Sequence, residues 1–150
     1  NIPCVSVSTL ESMAYNFLST DCIVCAVMDA RCSQVYNALF EIKNGVVTRL
    51  CDDRALSLDD LKNELLSVDG RIIISGDGTD ITCKYIGNEI INAESAPVNL
   101  KYQRASSTAL VAFKMINNGQ TVSAQELMPV YLRLPQAQRE LNKKLGGRTK

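Results

Sequence analysis

The sequence contains no histidine among its 150 residues. Without histidine the chain cannot form a Ser–His or Cys–His nucleophile pair, nor a histidine-based zinc protease motif such as HExxH. Net charge is also lacking, because sixteen basic and sixteen acidic side chains cancel. No global field therefore points to nucleic acid or to a membrane surface. No run approaches the roughly 18 apolar residues of a membrane span, so none is expected.

The chain does have the composition of one globular domain, with 46% hydrophobic and 21% charged residues. Six cysteines lie mostly in apolar runs, where a free thiol packs as a small hydrophobe. Because this chain can build a core without cross-links, we expect reduced cysteines and a cytoplasmic protein, with a secreted disulfide framework as the alternative. Cys22 and Cys25 form a lone C-x-x-C with no second ligand pair. We expect them on opposite faces of a strand, not in a metal site, and Cys32 as the exposed thiol.

Hydrophobic periodicity predicts alternating strands and helices. The helix over 8–19 opens on a capping box formed by Ser8 and Glu11. The predicted elements are a buried strand 2–7, helix 8–19, strands 22–30, 34–42 and 46–50, helix 57–67, strand 71–75, helix 104–119, an extended 129–134 and a terminal helix 136–147. The stretch 81–100 is ambiguous, because the strand-like "ITCKYI" (81–86) is followed by a polar loop. Helix 104–119 carries Ala105, Ala109, Ala112, Phe113 and Ile116 on one side.

The order of these elements predicts an α/β fold. Three consecutive antiparallel strands, then a helix and a parallel strand, indicate a mixed sheet that helices cover. This order is similar to that of the ribonuclease-H-like unit, which the actin/sugar-kinase (actin-like ATPase) superfamily uses twice. We therefore expect a ribonuclease-H-like lobe.

Four stretches, taken together and in order, resemble the TsaB/YeaZ family of bacterial tRNA threonylcarbamoyladenosine biosynthesis proteins, a glycoprotease-like family of that superfamily. They are "IPCVSVSTLESMA" (2–14), "MDARCSQVYNALF" (28–40), "IIISGDG" (72–78) and "LMPVYLRLPQAQREL" (127–141). No single motif is specific, but the combination covers most of the chain. The resemblance implies two ribonuclease-H-like lobes in tandem, of which this chain carries the second.

On that resemblance the chain divides into three parts. Residues 1–20 are the last strand and helix of a mostly absent amino-terminal lobe, 21–134 are the carboxyl-terminal lobe, and 135–150 are a helix with a basic tail. The chain starts abruptly at Asn1, so we expect a piece of a longer protein. If the first lobe is missing, helix 8–19 would lose part of its cover and drive self-association, which leaves a homodimer open.

The resemblance also implies a function. Family members are non-catalytic scaffold subunits that support threonylcarbamoylation of adenosine 37 in tRNA. Their paralogue TsaD carries the metal and transfers the group, the ATPase TsaE assists, and tRNA is contacted through the complex. No cofactor is expected in this chain. The alternative is the nucleotide-binding half of an actin-like ATPase or kinase, whereas the missing histidines disfavour glycoprotease activity.

Two polar turns are the candidate nucleotide contacts. Asp29 and Arg31 lie at the first hairpin turn, near where ATP-binding relatives carry an aspartate, but this turn has no glycine to let a phosphate approach. The favoured interpretation is that the two residues fix the turn. Gly76, Asp77 and Gly78 end a strand at the edge where α/β folds bind ligands. Their sequence matches neither a P-loop nor G-x-G-x-x-G, so a tight turn is the favoured alternative.

The last segment is the most basic part of the chain. Its candidate contacts to tRNA or to a partner are Arg133, Arg139, Lys143 and Lys144. Each cation that meets a phosphate would add salt-dependent affinity. The alternative is a solvated helix end whose lysines complement the helix dipole.

Overall fold

The computed structural model describes residues 2–133, in which six strands form one mixed sheet with helices on both faces. The elements are α1 (Thr9–Ala14) with a following 3₁₀ turn (Tyr15–Phe17), β1 (Cys22–Asp29), β2 (Gln34–Lys43), β3 (Val46–Arg49), β4 (Arg54–Ser57), α2 (Leu58–Leu65), β5 (Ile72–Ser75), α3 (Thr79–Ile86), β6 (Ala93–Ser95) and α4 (Ala105–Asn117).

The sheet has the order β3–β2–β1–β5–β6, and β4 also pairs with β2. β1 lies at the centre, antiparallel to β2 and parallel to β5. Its near-continuous apolar sequence suits a strand that is buried on both faces. The predicted mixed sheet, with antiparallel strands followed by a parallel one, is confirmed, and the arrangement is that of a ribonuclease-H-like lobe.

Two apolar layers sandwich the sheet. One layer packs α1 and the 3₁₀ turn against one face, and the other packs α2 and α3 against the opposite face. Cys22 belongs to the first layer and Cys25 to the second, as strand alternation predicts. The helix residues that fill these layers are Leu10, Met13, Ala14 and Phe17 on the first face and Leu58, Leu61, Leu65 and Ile86 on the second.

The short strand β4 was not predicted, and a buried polar network holds it in place. Arg54 donates to the amide oxygen of Asn37 at 3.1 Å and pairs with Glu64 of α2 at 2.5 Å. Asn37 is fully buried and donates to the Ala26 carbonyl at 3.0 Å. Because a buried amide without partners is costly, this network fixes β4 against the first half of β2.

A second polar cluster ties α1 to the sheet. The Ser8 hydroxyl accepts the Glu11 N–H at 3.1 Å, which caps the helix, and donates to Asp53 at 2.5 Å. Glu11 does not close the predicted capping box. Its carboxylate instead pairs at 2.9 Å with Arg49, which also pairs with Asp53 at 2.6 Å and lies over the ring of Phe40.

The prediction of a buried strand over 2–7 is wrong. Within the described residues this stretch makes one isolated bridge, between Cys4 and Val122, and Ile2 is 84% exposed. An apolar run indicates a preference for extended backbone but does not supply a neighbouring strand. The expected exposure of helix 8–19 is also wrong, because Met13 and Phe17 are buried under the sheet and α4.

The strand-like stretch 81–86 is helical, as part of α3. Buried hydroxyls satisfy backbone carbonyls along its inner side: Thr82 donates to the Gly78 carbonyl at 2.8 Å and Thr79 to the Gly76 carbonyl at 2.7 Å. Packing of this inner side on the sheet overrides the local strand preference of Ile, Thr, Cys and Tyr. β6, also unpredicted, follows this helix and pairs in parallel with β5.

Helix α4 forms as predicted, but its apolar side faces outwards. The buried residues are Ser107 and Val111, whereas Phe113 is 67% exposed. Residues 129–133 form no strand, and the predicted terminal helix 136–147 lies outside the described residues. Among the helices that are described, none combines the length and apolar character needed to cross a bilayer.

Replacing Ser8 by alanine should cost more stability than replacing Ser57, the cap of α2. Ser57 caps α2 by accepting the Asp60 N–H and also donates to the Asp60 carboxylate at 2.6 Å, but both contacts are exposed, whereas the Ser8–Asp53 contact is partly buried. Ser8→Ala removes a cap and also leaves Asp53 without one donor, so we expect a loss of about 2 kcal/mol against about 1 kcal/mol for Ser57→Ala. Urea unfolding measures both values. Equal losses would show that the partly buried Asp53 contact contributes no more than the exposed contact between Ser57 and Asp60.

Candidate functional site at the carboxyl edge of the sheet

The parallel pairing of β1 and β5 brings the two predicted turns together. Ala26 of β1 lies opposite Ser75 of β5, so both strands end at the same edge. The Asp29 N–H donates to the Asp77 carboxylate at 3.2 Å. The structure thus places Asp29 beside the Gly76–Gly78 turn at the edge where ligands bind in many α/β folds.

The hairpin turn is fixed by its own side chains. The Asp29 carboxylate accepts the Arg31 N–H at 2.7 Å and pairs with the Arg31 guanidinium at 3.3 Å. Arg31, Cys32 and Ser33 all have positive φ angles, between 55° and 64°, a conformation that ordinary side chains disfavour. The carboxylate stabilises this strained backbone, which matches the predicted turn-fixing role of the pair.

The glycine turn is closed by the chain's own backbone. Gly76 has φ 120°, and a Cβ placed there would lie 1.9 Å from the Val27 carbonyl oxygen. A Cβ on Gly78 would lie 3.1 Å from the carbonyl carbon of Met28. The space that these glycines leave is therefore filled by the end of β1. Their N–H groups are also taken, since Gly78 donates to the Val27 carbonyl at 3.2 Å and Gly76 to the Lys101 carbonyl at 2.7 Å.

Lys101 contacts the residues on either side of this turn, Ser75 before it and Asp80 after it. Its ammonium group pairs with Asp80 at 2.6 Å while its own residue is only 8% exposed. The hydrogen bond to Asp80 raises the pKa of Lys101 above its ordinary value. Ser75 also donates to the Lys101 carbonyl, at 3.0 Å. Lys101 therefore holds the end of β5 by its backbone and the start of α3 by its side chain.

An open groove of about 480 Å³ lies next to the hairpin turn. Its polar lining residues include Ser8, Thr9, Tyr36 and Asp53. Asp53 is already engaged by Arg49 and Ser8, so it offers no free charge. No local sequence pattern indicates this groove, because it forms between residues 6–10 and 129–133, which are far apart along the chain.

The basic candidates divide between the described and undescribed parts of the chain. Arg133 lines the groove, and its guanidinium donates to the Ala30 carbonyl, next to the hairpin turn. Arg139, Lys143 and Lys144 lie outside the described residues. No cluster of three or more Cys, Asp or Glu in the part of the chain that is described could hold a metal ion.

The six cysteines are free thiols. Burial raises the pKa of Cys25, which is fully inside the sheet, and burial likewise raises the pKa of Cys22 and Cys83. Cys32 sits exposed on the strained hairpin turn, as predicted. The structure therefore separates one accessible thiol from several that cannot readily ionise.

Gly76→Ala should destabilise the protein by about 3 kcal/mol, because the new methyl group meets a strand carbonyl at a φ angle that alanine disfavours. Gly119→Ala is the matched control: its φ is 70°, but nothing lies within 4 Å of the added Cβ. We expect about 1 kcal/mol there. Thermal and urea unfolding compare the two. A Gly76→Ala variant as stable as Gly119→Ala would contradict the close approach.

Native-state labelling with a thiol reagent at pH 7.5 should modify Cys32 first. Cys25 should react at least about 100-fold more slowly, because it must wait for the sheet to open. Mass spectrometry after timed quenching identifies the sites, and Cys32→Ser should remove the fast phase. A fast phase that survives in Cys32→Ser would place another thiol at the surface.

Known proteins resemble this chain both in sequence and in fold. No family model matches the chain. Over 138 residues it is 28% identical to the tRNA threonylcarbamoyladenosine biosynthesis protein TsaB of Bacillus subtilis strain 168, an alignment that covers 92% of this chain and 59% of that protein.

Two solved structures are similar in fold. YeaZ from Pseudomonas aeruginosa superimposes with a TM-score of 0.62 at 19% identity, and a protein described as similar to peptidase YeaZ from Pseudomonas aeruginosa with a TM-score of 0.65 at 19% identity. Each comparison covers 87% of this chain and 59% of the other. The chain thus spans about three fifths of the length of these relatives, and over most of its own length it is similar to TsaB in sequence and to YeaZ in fold.

Proposed function

We propose that this chain is the carboxyl-terminal lobe of a TsaB-like protein and supports threonylcarbamoylation of adenosine 37 in tRNA. The observation that carries the proposal is the sequence match to TsaB across 92% of the chain. The likeness in fold to YeaZ is consistent with it. In this proposal residues 1–20 join the lobe to a preceding one, and the protein works in the cytoplasm.

The proposed role is that of a non-catalytic partner. A TsaD-like paralogue would transfer the threonylcarbamoyl group, a TsaE-like ATPase would assist, and tRNA would be held by the complex. The described residues favour this division of labour. Asp29, Asp53 and Asp77 are each engaged by groups of the chain itself, and the glycine turn is occupied by β1. A lobe of this kind offers surfaces to partners more readily than a reactive centre.

The rival function is nucleotide binding by half of an actin-like ATPase or kinase. It would use Asp29, Arg31 and the Gly76–Gly78 turn. A phosphate needs unpaired N–H groups and an open approach. The Gly76 and Gly78 N–H groups already donate to carbonyl oxygens, and the Asp29 N–H donates to Asp77, so the rival would require this edge to rearrange.

Reconstitution tests the proposed function. Unmodified tRNA, threonylcarbamoyl-adenylate, TsaD and TsaE are combined with or without the full-length polypeptide that carries this chain. We expect threonylcarbamoyladenosine, measured by mass spectrometry of digested tRNA, to form only when the polypeptide is present.

Two variants control the reconstitution. Val24→Asp places a charge in the fully buried centre of β1 and should behave like omission of the protein. Ile91→Ser changes a side chain that is 95% exposed and should leave product formation intact. Equal product with and without the polypeptide would refute the scaffold role.

A further inference from the structure

Strand β3 is a free edge of the sheet. It pairs with β2 on one side, and within the described residues no strand lies on its other side. The Leu50 N–H, directly after β3, donates to the Leu39 carbonyl at 2.8 Å, so residues 46, 48 and 50 turn their backbone groups towards β2. The N–H and C=O groups of Val47 and Arg49 therefore point outwards. Such a row of backbone groups is a template for another strand.

The side chains on one face of this edge are exposed. Val46 is 62% exposed and Leu50 49%, and Thr48 between them is exposed as well. Strand alternation puts these three on the same face, whereas Val47 and Arg49 turn to the opposite face. Val47 packs there against the first apolar layer. The edge thus combines outward backbone groups with two apolar side chains in contact with solvent.

A second copy of the chain fits this edge. When two β3 strands run antiparallel with Thr48 at the centre, Val47 of each copy lies opposite Arg49 of the other. Each of these pairs then exchanges its outward N–H and C=O groups as hydrogen bonds. In the same register Val46 lies opposite Leu50, which gives apolar cross-strand pairs. The arrangement has a two-fold axis through Thr48, so it closes as a dimer.

Charges at the two ends of β3 are complementary in this register. Lys43 lies before the hairpin turn and Asp52 after the strand, and both are exposed. Neither is in an ion pair among the described residues. Continuing the pairing beyond β3 brings Asn44 of one copy opposite Asp52 of the other, so Lys43 comes next to that carboxylate. A lysine at a sheet edge discourages a strand that offers it no partner, and here a second copy supplies one.

We propose that β3 is an interaction surface for a second copy of this chain, through which two sheets join into one. The paired strand is only four residues long. The contact is therefore smaller than the roughly 800 Å² per partner of a standard interface, and we expect a reversible dimer with a dissociation constant on the order of 100 µM. This inference does not rest on the proposed function.

Charge substitutions at Thr48 test the proposal. Sedimentation of the unmodified chain between about 5 and about 500 µM should show a mass that rises towards that of a dimer. Thr48→Lys and Thr48→Glu should each stay monomeric, because two like charges meet at the two-fold axis. An equimolar mixture of the two variants should dimerise again, because the facing charges are then opposite. Val98→Lys, which introduces the same charge at a site that is 83% exposed beyond the other edge of the sheet, should dimerise like the unmodified chain.

Amide hydrogen exchange locates the contact. The Val47 and Arg49 N–H groups should exchange about threefold more slowly at the highest concentration than at the lowest, because pairing protects them. Ser95 is the matched control, since it lies in β6 at the opposite edge of the sheet. The exchange rate of its N–H should not depend on concentration.

Four outcomes would overturn the proposal. These are a chain that stays monomeric at every concentration, a dimer that Thr48→Lys leaves intact, a variant mixture that stays monomeric while the unmodified chain dimerises, and a dimer in which the Val47 and Arg49 amides are not protected. None of these measurements involves tRNA modification. Failure here therefore leaves the proposed function standing, and failure of the reconstitution leaves the β3 interface standing.

Discussion

The parallel pairing of β1 with β5 is the constraint on which the rest of the structure depends. β1 is buried on both faces, and its register with β5 sets where the two strands end. That register presses Gly76 against the Val27 carbonyl and brings Asp77 to the Asp29 N–H. The close approach of β1 fills the space that Gly76 and Gly78 leave, and α3 begins directly after this turn. A one-residue slip of β5 against β1 would move Gly76 and Asp77 away from Val27 and Asp29 and break these contacts.

Polar side chains help to fix the positions of short segments on the sheet, namely α1, the loop before β4, and β4 itself. Arg49 joins α1 to the loop before β4 through Glu11 and Asp53, and Arg54 joins β4 to α2 through Glu64. Each guanidinium is about two-thirds buried and has a charged partner at 2.9 Å or less. Such half-buried pairs fix the position of a segment more than they add to stability. They explain how short, weakly apolar elements acquire defined places on the sheet.

The sequence was informative where burial follows a regular period. The strands β1, β2, β3 and β5 and the helices α1, α2 and α4 were predicted because their apolar residues repeat along the chain. β4 was missed because its place depends on Arg54 reaching the buried Asn37, which no local pattern records. "ITCKYI" has a strand's composition, and only packing on the sheet makes it a helix. Periodicity also placed the apolar residues of α4 on one side of the helix, but it does not record what covers that side.

In the candidate site too, local contacts were predicted from the sequence and long-range contacts were not. The turn-fixing bonds between Asp29 and Arg31 are local and were predicted, whereas the contact between Asp29 and Asp77 needs the parallel register and was not. Through these contacts, the hydrogen-bonding groups at the carboxyl edge of this ribonuclease-H-like lobe are paired with the protein's own residues. We propose that its function lies on surfaces that meet other proteins.

We propose that this carboxyl edge is closed to nucleotide. The most direct test of this proposal is an NMR titration of the isotope-labelled chain with magnesium–ATP up to millimolar concentration, following the amide signals of Asp29, Gly76 and Gly78. We expect the chemical shifts of these three amides to stay unchanged, because each N–H already has an acceptor within the protein. Saturating shifts of these amides at micromolar ATP would contradict it and would establish a nucleotide site.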